Sequence, residues 1–375
     1  MRRARVSRKG AAKNAEYAAL KREIKARGLL TRRPADYAGK IALTFAIAAA
    51  AVTWIALTRQ SALVWVGLPL AVLASAQLTL LGHDACHHAV FGSARANDAL
   101  ALVVINLLNG GSHGWWKKSH DEHHARSNDR DLDPDIDYPF LAFSEDQAAL
   151  KHPRYLPILR RQHWLVPFMM LFVGINMRLY SAAWLARHHH RRAEIVAALA
   201  YYAVTLPLVL GGLGLARGAI FLLVHNALFG FYVAAATSAN HWGMPMPVES
   251  HRLDYVRHQV EGSRNIAGEG LVDFLYGGLN RQIEHHLFPT MPRKNLRAAR
   301  AVVRAFCVER GVTYHEVSAL GAAALAFSGL GIAMPPVPGA ASFAPAMYAG
   351  TRNAHRARWD KAISQTLNTT TQGRN

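Results

Sequence analysis

The sequence predicts an all-α integral membrane protein, with four transmembrane helices in two hairpins and a cytoplasmic cap of further helices. Two observations carry this prediction. Four charge-poor segments are long enough to cross a bilayer, for which a helix needs roughly 20 residues. The 375-residue chain also combines 51% hydrophobic residues with a formal charge of +19. Long apolar runs with a basic excess are typical of membrane proteins with basic cytoplasmic segments.

The predicted spans cover residues 41–57, 62–81, 195–216 and 219–239. Arg59 is the one charged residue between the first two spans, and Arg217 lies between the last two. By contrast, residues 1–40 contain thirteen Lys or Arg, and the loop of residues 82–194 is also rich in them. The positive-inside rule therefore places both tight turns away from the cytoplasm and both termini inside.

Three segments follow from this pattern. Residues 1–40 form a basic cytoplasmic arm, residues 41–317 form the membrane-embedded domain, and residues 318–375 form an Ala/Gly/Pro-rich and then polar tail. We expect no regular helix in this tail and partial disorder. The apolar stretches 99–108 and 164–175 are too short to span, so they are expected at the interface or over the site.

The composition of the chain restricts the classes of partner that we expect. Cys86 and Cys307 are too few for a disulfide framework, and both are expected to be reduced. The basic arm adjoins hydrophobic spans, where attraction to anionic membrane lipid explains its charge without nucleic acid. We therefore expect a membrane-lipid partner and no nucleic-acid partner.

Histidine is the residue type that indicates chemistry. The chain has twenty, and many of them group in three clusters on the predicted cytoplasmic side. A further histidine, His241, follows the fourth span directly, as His83 follows the second. The three clusters are His83-Asp84-Ala85-Cys86-His87-His88, His120-Asp121-Glu122-His123-His124 and Gln282-Ile283-Glu284-His285-His286.

The spacing within the clusters is that of metal ligands on helices. Residues three or four apart share a helix face, so His83 and His87 can present two imidazoles to one metal. Neighbours such as His123 and His124 diverge by about 100° and can serve two metals. Imidazole suits iron, copper, zinc and nickel, so ligand type leaves the metal open. A solvated or capping role is the alternative for any one cluster.

Other polar residues receive different interpretations. The run 188–190 is flanked by Arg, and we interpret it as a basic topogenic cluster. His225 and Asn226 lie within the fourth span, where interior hydrogen bonding is the expected role. The acidic residues inside the clusters are candidates for hydrogen bonds to the imidazoles, with surface exposure as the alternative: Asp84, Asp121 and Glu284.

The clusters resemble the three histidine boxes of the membrane fatty acid desaturases, HxxxH, HxxHH and QxxHH, in that order. Residues 277–289 are similar to the third box of the front-end subgroup, and residues 133–137 and 143–147 also resemble that subgroup. Gln282 stands where other desaturases have histidine, so it is a possible metal ligand. The resemblance implies that two iron ions are bound by His83, His87, His120, His123, His124, His241, His285 and His286.

The resemblance also implies an activity: oxygen-dependent desaturation of a long-chain fatty acyl substrate, carried as an acyl-CoA or an acyl-lipid. The N-terminal arm lacks the His-Pro-Gly-Gly haem motif of a fused cytochrome b5 domain. Electrons are therefore expected from a separate ferredoxin- or cytochrome b5-type carrier, in a bacterial inner membrane. Arg281 and Ser127 depart from the family pattern. Hydroxylation on the same di-iron scaffold is the nearest alternative, and a metal transporter is a more distant one.

Overall fold

Helices make up almost all of the regular secondary structure in the computed structural model, which describes residues 16–248, 250 and 254–331. Helix α1 covers residues 16–26. The helices that follow are α2 (Pro34–Thr58), α3 (Leu68–Cys86), α4 (Ala94–Ala101), α5 (His113–Ala125), α6 (Glu145–Ala149), α7 (Leu156–Leu159), α8 (Gln162–Met170), α9 (Val173–Arg187), α10 (Arg192–Leu206), α11 (Leu215–Ser238), α12 (Tyr255–Glu261), α13 (Leu271–Leu275), α14 (Gln282–Leu287), α15 (Arg293–Glu309) and α16 (Ala319–Leu330).

Shorter elements extend or join these helices. A 3-10 turn, Ala62–Gly67, leads into α3, and another covers Pro153–Tyr155. π-Helical turns continue α4 as Leu102–Leu107 and α10 as Pro207–Gly211. The described strands, β1 (Asn265–Ile266) and β2 (Glu316–Val317), pair in parallel over two residues each. The prediction of an all-α membrane protein is therefore confirmed.

Four helical segments are long and apolar enough to cross a membrane: Pro34–Thr58, Ala62–Cys86, Arg192–Gly211 and Leu215–Ser238. They form the two predicted hairpins, although the first begins at Pro34 rather than at residue 41. At the second turn Gly214 adopts a φ of +81°, which glycine adopts without strain. Arg217 Nη1 donates to the carbonyl of Arg59, at 3.2 Å, so the two hairpin turns meet.

A fifth apolar segment is broken. Helices α8 and α9 bend by 64° and together pass the same test of length and composition, as a broken span or a re-entrant loop. Sequence analysis expected only a short interfacial stretch at residues 164–175. Helix α9 then crosses α11 at two glycines, since a Cβ added to Gly230 would lie 2.3 Å from the nitrogen of Gly174. Small residues are what lets membrane helices approach this closely.

Polar side chains inside the membrane part hydrogen-bond to one another. Arg178 Nε donates to Asn226 Oδ1 at 2.7 Å, and His225 Nε2 lies 3.1 Å from Ser75 Oγ. These contacts join α9 to α11 and α3 to α11. The structural role expected for His225 and Asn226 is consistent with them.

The N-terminal arm packs on the helices that carry the third histidine cluster. Leu20 and Ile24 of α1 are fully buried in a core cluster with Ile283 of α14 and Val303 of α15. Asn295 Nδ2 donates to the carbonyl of Leu29 at 2.7 Å. Residues 16–33 are therefore integrated into the fold, whereas residues 1–15 lie outside the described part.

Helix α16 corrects one prediction. We expected no helix after residue 318, but Ala319–Leu330 is helical, begins at the capping side chain of Ser318 and buries Ala322, Ala326 and Leu330. The sequence hides the buried face because apolar residues occupy both sides of the helix, including the exposed Leu320, Leu325 and Phe327. The rest of the predicted tail, residues 332–375, lies outside the described residues.

The glycine crossing predicts a stability difference between two substitutions. Gly230→Ala places a methyl group against the backbone of α9, and we expect a loss of about 1–3 kcal/mol from the overpacked contact. Gly39→Ala is the control, because a Cβ there meets nothing within 4 Å. Thermal unfolding in detergent measures both. Equal stability of the two variants would contradict the crossing.

Candidate metal centre

Four pieces of the chain bring histidines to one place. Helix α3 ends at Cys86, so His83 lies in its last turn and His87 directly follows it. Ser112 caps the start of α5 by accepting from the Trp115 amide, and this helix carries the second cluster. The third cluster lies on the short helix α14, and His241 follows α11. The two spans α3 and α11 therefore end at the same histidine cluster.

The histidines form two groups. In each group the potential ligand nitrogens lie within 4.8 Å of one another. Nitrogens bound to one ion at about 2.1 Å lie within about 4.2 Å of one another, so only small side-chain movements separate either group from metal binding. The five-histidine group is His83, His87, His120, His124 and His285, and the three-histidine group is His123, His241 and His286.

All eight histidines predicted as ligands fall into these two groups. Sequence neighbours divide between them, as the helical angle between adjacent residues requires. His124 belongs to the five-histidine group and His123 to the other, and His285 and His286 divide in the same way. Two adjacent helical pairs therefore connect one group to the other.

Some ring nitrogens of the two groups lack partners. His83 Nε2, His87 Nε2, His124 Nδ1 and His286 Nε2 are buried and form no hydrogen bond within the described residues. A buried polar atom without a partner is costly, at about 1–3 kcal/mol. Coordination of a metal ion removes that cost, so the donor set fits a metal.

The protonation states of the imidazoles also fit metal binding. Burial, and then the neighbouring imidazoles, hold the pKa values of His87, His120, His124, His285 and His286 well below the ordinary range. These rings are therefore neutral near pH 7, which is the form that binds metals.

His123 differs from the other rings. Burial lowers its pKa, but the carboxylates of Asp133 and Asp135 outweigh burial and raise it to about 9. Asp133 lies 3.0 Å from His123 Nδ1 and is itself held by the backbone N–H groups of Asn128, at 2.7 Å, and Asp135, at 2.9 Å. The two carboxylates therefore favour the protonated, positively charged form of His123.

The outer ring nitrogens of three other histidines also have polar partners. His286 Nδ1 lies 2.8 Å from Gln259 Oε1, and His241 Nδ1 lies 3.2 Å from the carbonyl of Gly262. His83 Nδ1 lies 3.3 Å from Asp84. Such partners fix the orientation of a ligating imidazole and raise its basicity.

Sequence comparison agrees with this geometry. A family model described as fatty acid desaturase matches residues 59–318. The chain belongs to the fatty acid desaturase family. It is 32% identical over 297 residues to an acyl-lipid (9-3)-desaturase of Physcomitrium patens, covering 75% of this chain and 55% of that protein.

Two further relatives show the same similarity. A Delta(5) fatty acid desaturase of Caenorhabditis elegans is 31% identical over 270 residues, covering 66% of this chain and 59% of the relative. A Delta(8)-fatty-acid desaturase of Euglena gracilis is 29% identical over 322 residues, covering 80% and 74%. The chain thus spans little more than half the length of the first two relatives.

The remaining candidates of this desaturase-family chain have different surroundings. Gln282 lies beside the three-histidine group, with its amide nitrogen 3.0 Å from His241 Nε2. Asp84 contacts His83, as expected. Asp121 is half exposed and pairs with Lys117 at 2.9 Å, so the structure does not bring it to the cluster.

Glu284 is buried but is held by other residues. Its carboxylate accepts from Asn265 Nδ2 at 2.7 Å and from the Tyr314 hydroxyl at 2.8 Å. Burial, partly offset by these hydrogen bonds, raises its pKa to about 7. No contact with an imidazole is found for it among the described residues, so its expected hydrogen bond to a ligand has no support.

Several residues at the centre were not predicted from the sequence. Asp133 had been noted only for its resemblance to a subgroup, and Gln259 carried no signal. Trp116 stacks on His120, with ring centroids 4.3 Å apart. His88, left out of the predicted ligands, is partly exposed, and its Nε2 lies 3.2 Å from Asp98 Oδ1.

The unequal groups predict unequal metal loss. His286→Ala leaves two imidazoles in its group, and we expect the metal content to fall from about two ions to about one per chain, since protein sites rarely hold a metal with fewer than three ligands. His285→Ala leaves four imidazoles, so most metal should stay. Elemental analysis of the purified chains measures this, with His88→Ala as the control. Equal losses in both variants would contradict the division into two groups.

Proposed function

We propose that the protein introduces a double bond into a long-chain fatty acyl substrate, with one iron ion in each histidine group and dioxygen as co-substrate. The observation that carries the proposal is the pair of adjacent buried histidine groups at the ends of membrane helices. The named desaturases among the relatives support the same reaction class. Two bound iron ions would supply the activation of dioxygen that removes hydrogen from unactivated methylenes.

The reaction needs electrons from outside. One –CH2–CH2– unit, one dioxygen, two electrons and two protons give one –CH=CH– unit and two waters. A separate carrier protein of the ferredoxin or cytochrome b5 type would supply the electrons. We propose that the histidine groups and both termini face the cytoplasm of a bacterial inner membrane, as the basic loops indicate.

An apolar cavity beside the five-histidine group is the proposed place of the acyl chain. Trp116, which stacks on His120, forms part of its wall, and Met177 of α9 and Phe229 of α11 form another part. Thr79 of α3 and Ile105 also line it. The cavity thus lies between Trp116, which contacts His120, and the membrane helices. Acyl carbons placed here lie next to the site where hydrogen is removed, while the aromatic wall excludes water.

Product analysis tests the proposal. We expect a new double bond in the lipids of a bacterial host that expresses the chain with an electron carrier and is fed saturated and mono-unsaturated acids. The bond should disappear in His285→Ala/His286→Ala and remain in His88→Ala, which alters a partly exposed histidine outside both groups. Gas chromatography with mass spectrometry identifies the product and its position. A hydroxylated acid in place of the alkene would move the function to hydroxylation.

The proposed place of the acyl chain predicts that filling the cavity lowers conversion. Met177→Trp fills the cavity, and displacing the acyl chain by about 1 Å should lower conversion by roughly a hundredfold. The matched control is Leu179→Trp on the same helix, because Leu179 is 62% exposed. Metal content should be unchanged in both. Full conversion by Met177→Trp would show that the acyl chain binds elsewhere.

A further inference from the structure

Helix α15 has an exposed surface of basic residues and small apolar residues. Residues 293–309 contain five Lys or Arg and one acid, which is the last residue. The helix buries its apolar side, including Leu296, Val303 and Phe306, in the core cluster shared with α1 and α14. We define the α15 surface as its exposed side: Lys294, Arg297, Ala298, Ala301, Arg304, Ala305, Val308 and the terminal Glu309.

The charge of this surface is only partly neutralised. Lys294 pairs with Asp36, and Arg297 pairs with Glu269, each at 2.5 Å. Arg304 forms no ion pair within the described residues. The neighbouring residues 16–40 contain seven Lys or Arg and three acids, and Arg33 Nε donates to Asn295 Oδ1 at 3.1 Å, so the two segments adjoin. Both segments therefore carry an excess of positive charge, which attracts acidic proteins and speeds their association.

A hydrogen-bonded connection leads from the start of α15 to the metal centre. Arg293 Nε donates to Asp84 Oδ2 at 2.6 Å, and Asp84 Oδ1 lies 3.3 Å from His83 Nδ1. Tyr37, which is 1% exposed, also donates to Asp84, at 2.8 Å. Two contacts therefore join a surface helix to the five-histidine group.

The composition of the surface favours a protein partner over lipid. Helices that bind membrane surfaces insert large residues such as Trp, Phe or Leu into the bilayer. The α15 surface has alanines and one valine between its arginines, which leaves the helix open to close approach by a folded partner. Arginine is also enriched at protein interfaces, where it is a frequent source of binding energy. A lipid site would not need the connection to His83.

We propose that the α15 surface is the docking site of a small acidic one-electron carrier protein, and that Arg293 and Asp84 connect the docked carrier to His83. This inference rests on the proposed function. Two carrier molecules are each oxidised by one electron in every turnover. These two electrons, with two protons and one dioxygen, convert –CH2–CH2– into –CH=CH– and two waters.

Direct binding tests the docking surface. The probe is a soluble acidic [2Fe–2S] ferredoxin, with its affinity for the full-length, metal-loaded protein in detergent measured by microscale thermophoresis. Ala301→Glu/Arg304→Glu should weaken binding by about tenfold or more at low salt, and the difference should shrink at high salt because ions screen exposed charges. Arg95→Glu is the matched control, since Arg95 is exposed on α4 and outside the α15 surface.

A second variant tests the connection. Arg293→Gln should leave carrier affinity within about twofold, because the guanidinium is 12% exposed and turned inward, while reoxidation of the docked carrier slows by about tenfold or more. Arg293→Lys keeps a cation beside Asp84 and should restore part of the rate. Unchanged reoxidation in Arg293→Gln with normal metal content would overturn this part of the proposal.

Two outcomes decide between carrier docking and lipid binding at the α15 surface. Unchanged ferredoxin affinity in Ala301→Glu/Arg304→Glu overturns carrier docking, and loss of binding to phosphatidylglycerol vesicles in the same variant would assign the surface to lipid. Dithionite tests the desaturation chemistry independently of the carrier. If dithionite gives no alkene with the wild-type protein, the proposed function fails, while the binding results still decide whether a carrier docks here.

Discussion

The burial of eight imidazoles in one place is the constraint on which the rest of the structure depends. Neutral rings with inward nitrogens that find no partner are unfavourable, and each such atom costs about 1–3 kcal/mol. Four of these nitrogens are buried and without a partner among the described residues. A protein keeps such an arrangement only where something else satisfies it, and metal ions would do so with the ligand type present.

The surrounding helices hold this arrangement in place. The glycine contact between α9 and α11 sets the packing of the membrane helices below the centre. Outside the membrane helices, hydrogen bonds fix the orientation of the rings. Asp133 contacts His123, Gln259 contacts His286, and Arg293 donates to the carboxylate of Asp84. Rigid placement of this kind would serve the proposed reaction, because a small displacement of the reacting atoms lowers the rate strongly.

The sequence was informative where the signal is local. Apolar length predicts the spans, and three- or four-residue spacing predicts which histidines share a helix face. The sequence was uninformative where a histidine's hydrogen-bond partner comes from a distant segment, as Gln259 does for His286. Asp84 and Asp121 illustrate the limit: each directly follows the first histidine of its box, yet only Asp84 meets a distant arginine, whereas Asp121 pairs with Lys117 at the surface. Helix α16 was missed because its small residues give no clear periodicity.

The most direct test of the central claim is anomalous X-ray scattering at the iron absorption edge, from crystals of the full chain purified with iron. The account predicts two peaks per chain, one among the nitrogens of His83, His87, His120, His124 and His285, and one among those of His123, His241 and His286. A single peak, or peaks away from these nitrogens, would contradict it.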